Sequence, residues 1–189
     1  TAQHLSYELA QYFVADDPPR ALVDRLSTTW VHSHGDIAAV LQQLFESPEF
    51  WSARYRGNKF KTPYEYVISM ARASGMQFTD VPAQSKILLG MMARLGEPLF
   101  GCVTPNGYKN SSEVWLNPDA MMMRLSFAAM AGVGRLDAGQ QMKNPQALDA
   151  QLYGTLTGLF SSREIASIDS QPPRLRAGLI LGSPQFQYR

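Results

Sequence analysis

The stretch Asp36-Ile-Ala-Ala-Val-Leu-Gln-Gln-Leu-Phe45 decides the fold class. Its apolar residues Ile37, Val40, Leu41, Leu44 and Phe45 fall at i, i+3, i+4, i+7 and i+8, the spacing that lines one face of an α-helix. Asp36 stands just ahead of the run and offers a carboxylate to the free N–H groups of a first turn. A strand would alternate apolar and polar residues, and no segment of the 189 residues does so for long enough to argue one. The expected fold is therefore all-α.

Outward from this helix the same reading repeats. Upstream, Leu22, Val23, Leu26 and Trp30 predict a helix opened by Asp17 and Pro18 and closed by the polar run His32-Ser33-His34-Gly35. Before it, Leu5, Leu9 and Phe13 stand four apart and predict a helix over 2–14 with that stripe facing the core and His4 half-buried. Downstream, Ser47-Pro48-Glu49-Phe50 starts a short helix carrying Trp51 and Tyr55. Thr62-Pro63-Tyr64-Glu65 reads as a capping box, in which the Thr hydroxyl takes an N–H three residues on and Glu65 reaches back. Val67, Ile68 and Ala71 form that helix's inner face, with Gly75 at its end. Ile87, Leu88, Met91 and Leu95 make the next, ending at Gly96. Asn117-Pro118-Asp119 opens a helix through Met122, Leu125 and Ala129 to Gly132, and a polar loop spans Gly132 to Lys143. Asn144-Pro145 caps a helix with Leu148, Leu152, Leu156 and Leu159, whose Gly154 and Gly158 imply close packing or an early end. Ser161-Ser162-Arg163-Glu164 is a second capping box, and a last helix runs from Arg174 to Gly182 and meets Ser183-Pro184-Gln185-Phe186.

One stretch departs from this pattern. Leu95-Gly-Glu-Pro-Leu-Phe-Gly-Cys-Val-Thr-Pro-Asn-Gly-Tyr-Lys-Asn-Ser-Ser-Glu-Val-Trp-Leu116 has no helical period and carries Gly96, Pro98, Gly101, Pro105 and Gly107. Long structureless loops are uncommon inside compact domains and tend to be functional or disordered. Phe100, Tyr108 and Trp115 predict that this one is packed down, and it is the expected site of function.

Composition narrows the classes of function. Lys plus Arg number 17 against 16 Asp plus Glu, so no net field draws in nucleic acid or an anionic membrane. With 45% hydrophobic residues the chain can bury a sizeable core, and one domain over 1–189 is the expectation. The single cysteine, Cys102, excludes an internal disulfide and a cysteine-rich zinc site. The apolar runs fall short of the roughly 20 residues of a membrane span. The chain opens on Thr1 with neither an initiator Met nor a signal peptide, which reads as a fragment or a processed product.

Val14-Ala-Asp-Asp-Pro-Pro-Arg-Ala-Leu-Val23, Gly35-Asp-Ile-Ala-Ala-Val-Leu41, Ser47-Pro-Glu-Phe-Trp51, Lys61-Thr-Pro-Tyr-Glu65, Leu95-Gly-Glu-Pro-Leu-Phe100, Thr104-Pro-Asn-Gly-Tyr108 and Leu181-Gly-Ser-Pro-Gln-Phe186 cover nearly the whole chain. In these phrases it resembles a bacterial family known only as domain of unknown function number eighteen hundred. The resemblance implies that the chain is the C-terminal part of a longer protein. It further implies export, to the periplasm or outside the cell, and a partner in a second, co-encoded exported protein. It brings no activity and no catalytic residues.

Several constellations have both a chemical and an ordinary reading. His32 and His34, with Asp16 or Asp36, would ligate a metal if further donors converged, but they sit at a helix end where imidazoles are favoured anyway. Cys102 lacks an adjacent histidine to activate it. Glu97, Glu113 and Asp119 would supply a hydrolytic carboxylate pair only if brought to the right separation. Met91, Met92, Met121, Met122 and Met123 read as core rather than as an adaptable groove. Arg54, Arg56, Lys59 and Lys61 with Tyr55 and Phe60 form a basic, aromatic patch suited to an anionic polymer or phosphate, or simply a solvated turn.

The reading is an irregular bundle of eight to ten helices acting as a binding or scaffolding module through the Gly96–Trp115 loop. Phe100, Tyr108 and Trp115 supply contact area, and Asn106 and Lys109 supply polar contacts. A co-encoded exported protein or a surface polymer is the expected partner, with no nucleic acid, cofactor or metal. The alternative is a hydrolase completed by a preceding region of the protein.

Overall fold

Apolar residues recurring every three to four positions, cut at short intervals by proline and glycine, leave room for helices and little else. The computed structural model describes residues 1–76, 80–135 and 145–189, the side chains of 145–150 excepted. Among these residues there are twelve α-helices, one 3-10 turn and no sheet. In chain order they are α1 (Ala2–Phe13), α2 (Arg20–His32), α3 (Ile37–Phe45), α4 (Pro48–Trp51), α5 (Pro63–Ala73), α6 (Val81–Arg94), α7 (Ser112–Trp115), α8 (Pro118–Gly132), α9 (Pro145–Leu156), α10 (Ser162–Asp169), α11 (Pro173–Gly182) and α12 (Pro184–Gln187). The two beyond the expected ten are α7 and α12, each a single turn of four residues. The cap at Asn144, the Leu148 side chain and the polar loop from residue 136 to Lys143 lie outside what is described.

The caps act as their side chains dictate. The carboxylate of Asp36 accepts from Ala38 N at 2.9 Å, and the carbonyl oxygen of the Asn117 side chain accepts from Ala120 N at 2.9 Å. Both capping boxes close, Thr62 with Glu65 and Ser161 with Glu164. Ser47 and Ser183 each accept from the N–H three residues on, Phe50 and Phe186, so the two Ser-Pro-x-Phe phrases make the same local turn. Asp17 does not cap α2. Two consecutive prolines hold the residues before them extended, so the helix waits until Arg20, with Pro19 at its N-cap. At the far end of α2, His34 takes the left-handed position at φ 54° and donates its N–H to Val31 O, while Gly35 N bonds Trp30 O. That is the 5→2 and 6→1 pair of a Schellman ending, and it gives the His32–His34 segment a structural role.

The chain forms two compact units. The first comprises Thr1–Phe60, Lys109–Ser112 and Arg189. Its core is Ala10, Val14, Ala15, Leu22, Val23, Leu26, Val40 and Leu44. In α1 the fully buried line is Ser6 and Ala10, one residue round from the expected Leu5, Leu9 and Phe13, which are half-buried; His4 is exposed. The small side chains are the fully buried ones, and the larger ones flank that line. Near the end of α1 the carboxylate of Asp16 receives the ammonium of Lys59 and, at 2.7 Å, the N–H of Ser112; Lys59 also donates to Asn110 O at 2.8 Å. Lys59 is only 3% exposed. Burial alone would raise the Asp16 pKa, but the Lys59 and Ser112 bonds outweigh it and hold the carboxyl below its ordinary 3.8.

The second unit comprises Lys61–Tyr108 and Glu113–Tyr188. Its core is drawn from Tyr66, Val67 and Met70 of α5, Leu88, Met91 and Met92 of α6, Phe127 and Ala131 of α8, Leu152 of α9, and Ile180 and Leu181 of α11. Helices α8 and α11 meet through glycine: a Cβ on Gly132 would stand 2.4 Å from Gly178 N, so only hydrogen fits there. In α9 no such pressure exists. A Cβ on Gly154 or Gly158 would meet nothing within 4 Å, and the α-helix ends early, at Leu156, in a 3-10 turn over Thr157–Leu159.

Arg124 of α8 is wholly buried. Its guanidinium donates to Lys61 O at 2.7 Å and Gln187 Oε1 at 3.0 Å, and lies 4.8 Å from the centre of the Tyr66 ring. The Tyr66 hydroxyl donates to Arg124 O at 2.9 Å. Lys61, also buried, donates its ammonium to Phe186 O at 2.7 Å and sits 4.0 Å from that ring's centre. Burial brings the Arg124 pKa down to about 10, which leaves it charged at neutral pH, and pushes the Tyr66 phenol up to about 12.

Two substitutions test these buried charges by urea unfolding. Asp16→Asn removes the counter-ion of a buried ammonium and is expected to lower stability by about 2 to 3 kcal/mol. The wild type should suffer the same loss as the pH falls below 3.8 through the depressed Asp16 pKa, because a lowered carboxyl stabilises only while ionised. Arg124→Lys keeps the charge but cannot span both acceptors, and is expected to cost about 1.5 to 3 kcal/mol. An unchanged midpoint in either variant contradicts the assignment.

Candidate functional site

The loop after α6 begins with a second Schellman ending. Gly96, at φ 95°, donates to Ala93 O at 3.1 Å and Glu97 N donates to Met92 O at 2.9 Å. The chain then turns back to the start of α5. There the Glu97 carboxylate accepts the Tyr64 N–H at 2.7 Å. With the Thr62–Glu65 box in place, this satisfies the free donors of that first turn, since Pro63 has none. Burial raises the Glu97 pKa above 4.5; the Tyr64 N–H and Thr62 bonds pull it down and the neighbouring Glu65 charge pushes it up again.

From this anchor Pro98, Leu99, Phe100 and Gly101 make a reverse turn closed by Gly101 N donating to Pro98 O at 2.9 Å. The same carbonyl accepts the Tyr108 hydroxyl at 2.8 Å. The Tyr108 ring lies 6.0 Å from that of Trp115, which is buried and lies beside Gly96. Thr104, Pro105, Asn106 and Gly107 make a second turn, with Gly107 N donating to Thr104 O at 3.2 Å and Gly107 at φ 76°. Phe100 stands third in the first turn with φ 60°, a conformation that glycine or asparagine takes readily and a bulky residue does not. Its side chain is 97% exposed, and Val103 beside it is 98% exposed. Leu99 is half-exposed.

The five residues singled out from the sequence are therefore placed unequally. Phe100 and Asn106 face solvent, Tyr108 is half-buried and fixed by its hydroxyl, and Trp115 is packed inside as a support. Lys109 is exposed and belongs to the first unit. Leu99 and Val103 were not singled out. Their signal was two apolar residues in a segment with no period, where no helix face can bury them.

The other candidates separate as clearly. Among the described residues no three of His, Cys, Asp and Glu converge as metal ligands. Cys102 is half-buried, its sulfur 3.5 Å from the Thr104 hydroxyl. Asp119 lies in the first turn of α8 and Glu113 in that of α7, both exposed. Met91 and Met92 fill the core, Met123 packs against it and Met122 faces solvent. Of the basic patch, Lys59 and Lys61 are buried and only Arg54 and Arg56 remain outside.

A groove of about 700 Å³ lies in the second unit, lined by Leu125 and Ala129 of α8, Ile168 of α10, and Leu175 and Leu179 of α11. Its carboxylate, Glu164, accepts from the Ser161 hydroxyl and N–H and from Gln185, bonds that hold it below its ordinary range. No helix among the described residues is long and apolar enough to cross a membrane.

The chain matches, over residues 1–188, the family described as Protein of unknown function (DUF1800). No curated protein and no solved structure matches it.

The raised Glu97 pKa has a measurable sign. Because the folded state favours the protonated acid, ionising Glu97 takes stability away as pH rises from 4.5 through the raised value, and no further beyond it. Glu97→Gln removes this loss. The difference in unfolding midpoint, variant minus wild type, should rise across that window and then level off; a flat or falling difference contradicts the burial of the carboxylate.

Proposed function

Because the chain belongs to the DUF1800 family, whose description assigns no function, we propose a role from its own surface. It is a binding or scaffolding module of an exported bacterial protein, periplasmic or secreted, that engages a co-encoded exported protein or a surface polymer through the Gly96–Trp115 loop. Phe100 carries the reading. A non-glycine residue in the left-handed region costs about 1 to 2 kcal/mol, and a side chain 97% exposed recovers none of that by burial. Strain held at an exposed aromatic does nothing for the free chain, and strained residues of this kind cluster at functional sites. Phe100, Leu99 and Val103 form the apolar contact, Asn106 its polar margin, and Tyr108 and Trp115 hold the turn in place. A preformed aromatic contact loses little conformational entropy when a partner lands on it.

A hydrolase completed by a preceding region of the protein is the second reading. The raised Glu97 carboxyl favours it, since a general acid needs a raised pKa. Against it, one Glu97 oxygen is already committed to the Tyr64 N–H at a helix start.

Phe100→Gly separates a stability role from a binding role. Relief of the left-handed strain, less the extra unfolded-state freedom of glycine, should raise stability by about 0.5 to 1 kcal/mol. Retention of the partner from the source cell's envelope fraction should fall. A variant that is less stable, or that retains its partner as well as the wild type, refutes the proposal.

A further inference from the structure

In the first unit a pocket of about 230 Å³ is walled by the aromatic residues Phe13, Phe50, Trp51 and Tyr55. Arg56, Lys59 and Arg189 complete it, and none of its described lining side chains is a carboxylate. The aromatic wall is a ladder of edge-to-face rings: Phe13 to Phe45 at 5.2 Å, Phe45 to Phe50 at 5.1 Å and Phe50 to Trp51 at 5.2 Å. At its end the Trp51 indole is 68% exposed, yet its Nε1 donates to Phe45 O at 2.7 Å. A large ring pinned by one hydrogen bond and one neighbouring ring offers an open face that needs little further ordering.

The charges near this wall are unevenly satisfied. Lys59 is matched by Asp16, and Glu49 is matched by Arg25 at 2.5 Å. The Arg189 guanidinium donates to Tyr12 O at 3.0 Å and lies over that ring. Arg56 is exposed and makes no ion pair among the described residues. Arg56 thus brings to the pocket a positive charge that no described side-chain carboxylate pairs, beside an aromatic face. Its volume falls below the roughly 300 to 1,000 Å³ of drug-sized pockets, so the occupant is one ring with one charged group, the rest of any larger molecule lying outside.

We propose that this pocket binds an anionic sugar unit, its ring stacked on the open face of Trp51 and its phosphate or carboxylate met by Arg56. One-sided stacking suits a sugar ring better than a nucleobase, because Phe50 presents its edge and Arg54 lies 5.5 Å over Tyr55. The site is built from a different part of the chain than the loop around Phe100, and stands whether or not that loop binds a partner.

The test is a titration of the isotope-labelled 189-residue chain at low ionic strength, following the Trp51 indole N–H and the Gly57 amide by NMR. The probes are glucose 6-phosphate, glucuronate, glucose, inorganic phosphate and uridine monophosphate. Saturable shifts of both signals with glucose 6-phosphate or glucuronate are expected. Affinity should fall at least tenfold for glucose alone, for phosphate alone, and in Arg56→Gln, since a charge-assisted contact is worth about a factor of ten or more. Arg56 is exposed, so that variant keeps the fold. Absence of saturable shifts at Trp51, unchanged affinity in Arg56→Gln, phosphate binding as tightly as the sugar phosphate, or tighter binding of the nucleotide would each overturn the proposal.

Discussion

A guanidinium buried among helices must be met at fixed points, and in the second unit that requirement falls on Arg124. It donates to the Lys61 carbonyl and the Gln187 amide oxygen and lies over the Tyr66 ring, and the nearby Glu97 and Glu65 carboxylates favour its charged form. The dipoles and the π-face that touch it come from the start of α5 and from α12, far from Arg124 in sequence. Losing any of them leaves a buried charge under-solvated, which is why such groups fix a unique arrangement even when they add little net stability. Arg124 pointing inward also sets the rotation of α8. Phe127, Ala128 and Ala131 follow it into the core, while Met122, Leu125 and Ala129 turn outward, two of them into the groove beside α11.

The start of α5, fixed by that hub, is also where the long loop is tethered. Glu97 fills the open donor of Tyr64, Pro98 O takes two hydrogen bonds, and Trp115 is buried beneath Tyr108. A segment that looks irregular in sequence is thus held at both ends and in the middle. What it leaves unsupported is the pair Phe100 and Val103, which project from a frame with no internal use for them. The binding role proposed for the loop rests on this contrast between an anchored backbone and uncovered apolar side chains.

Much of this was legible beforehand where the physics is local. Asp36, Ser47, Thr62, Asn117 and Ser161 cap the helices their side chains predicted, and Gly75 and Gly96 close helices in the left-handed conformation. Periodicity alone could not say which line of α1 is fully buried, because small residues such as Ser6 and Ala10 carry little hydrophobic signal yet lie wholly inside. Nor could it reveal that Lys59 and Lys61 lie inside. A lysine is read as solvated unless its partners are known, and Asp16 and Phe186 O lie 43 and 125 residues away in sequence. In the loop, the sequence marked Phe100, Tyr108 and Trp115 as a set. Their division into one exposed contact and two supports follows from hydrogen bonds and turns that composition does not encode.

Backbone order of the free chain in solution, measured by ¹⁵N relaxation across residues 97–108, asks most directly whether the loop is a preformed surface. If Glu97, Pro98 and Tyr108 hold it as described, its amides should be as rigid as those of the helices, with order parameters near 0.85. Values below about 0.6 around Phe100 would describe a floppy segment that samples many shapes, and would contradict a binding surface built on a strained, anchored turn.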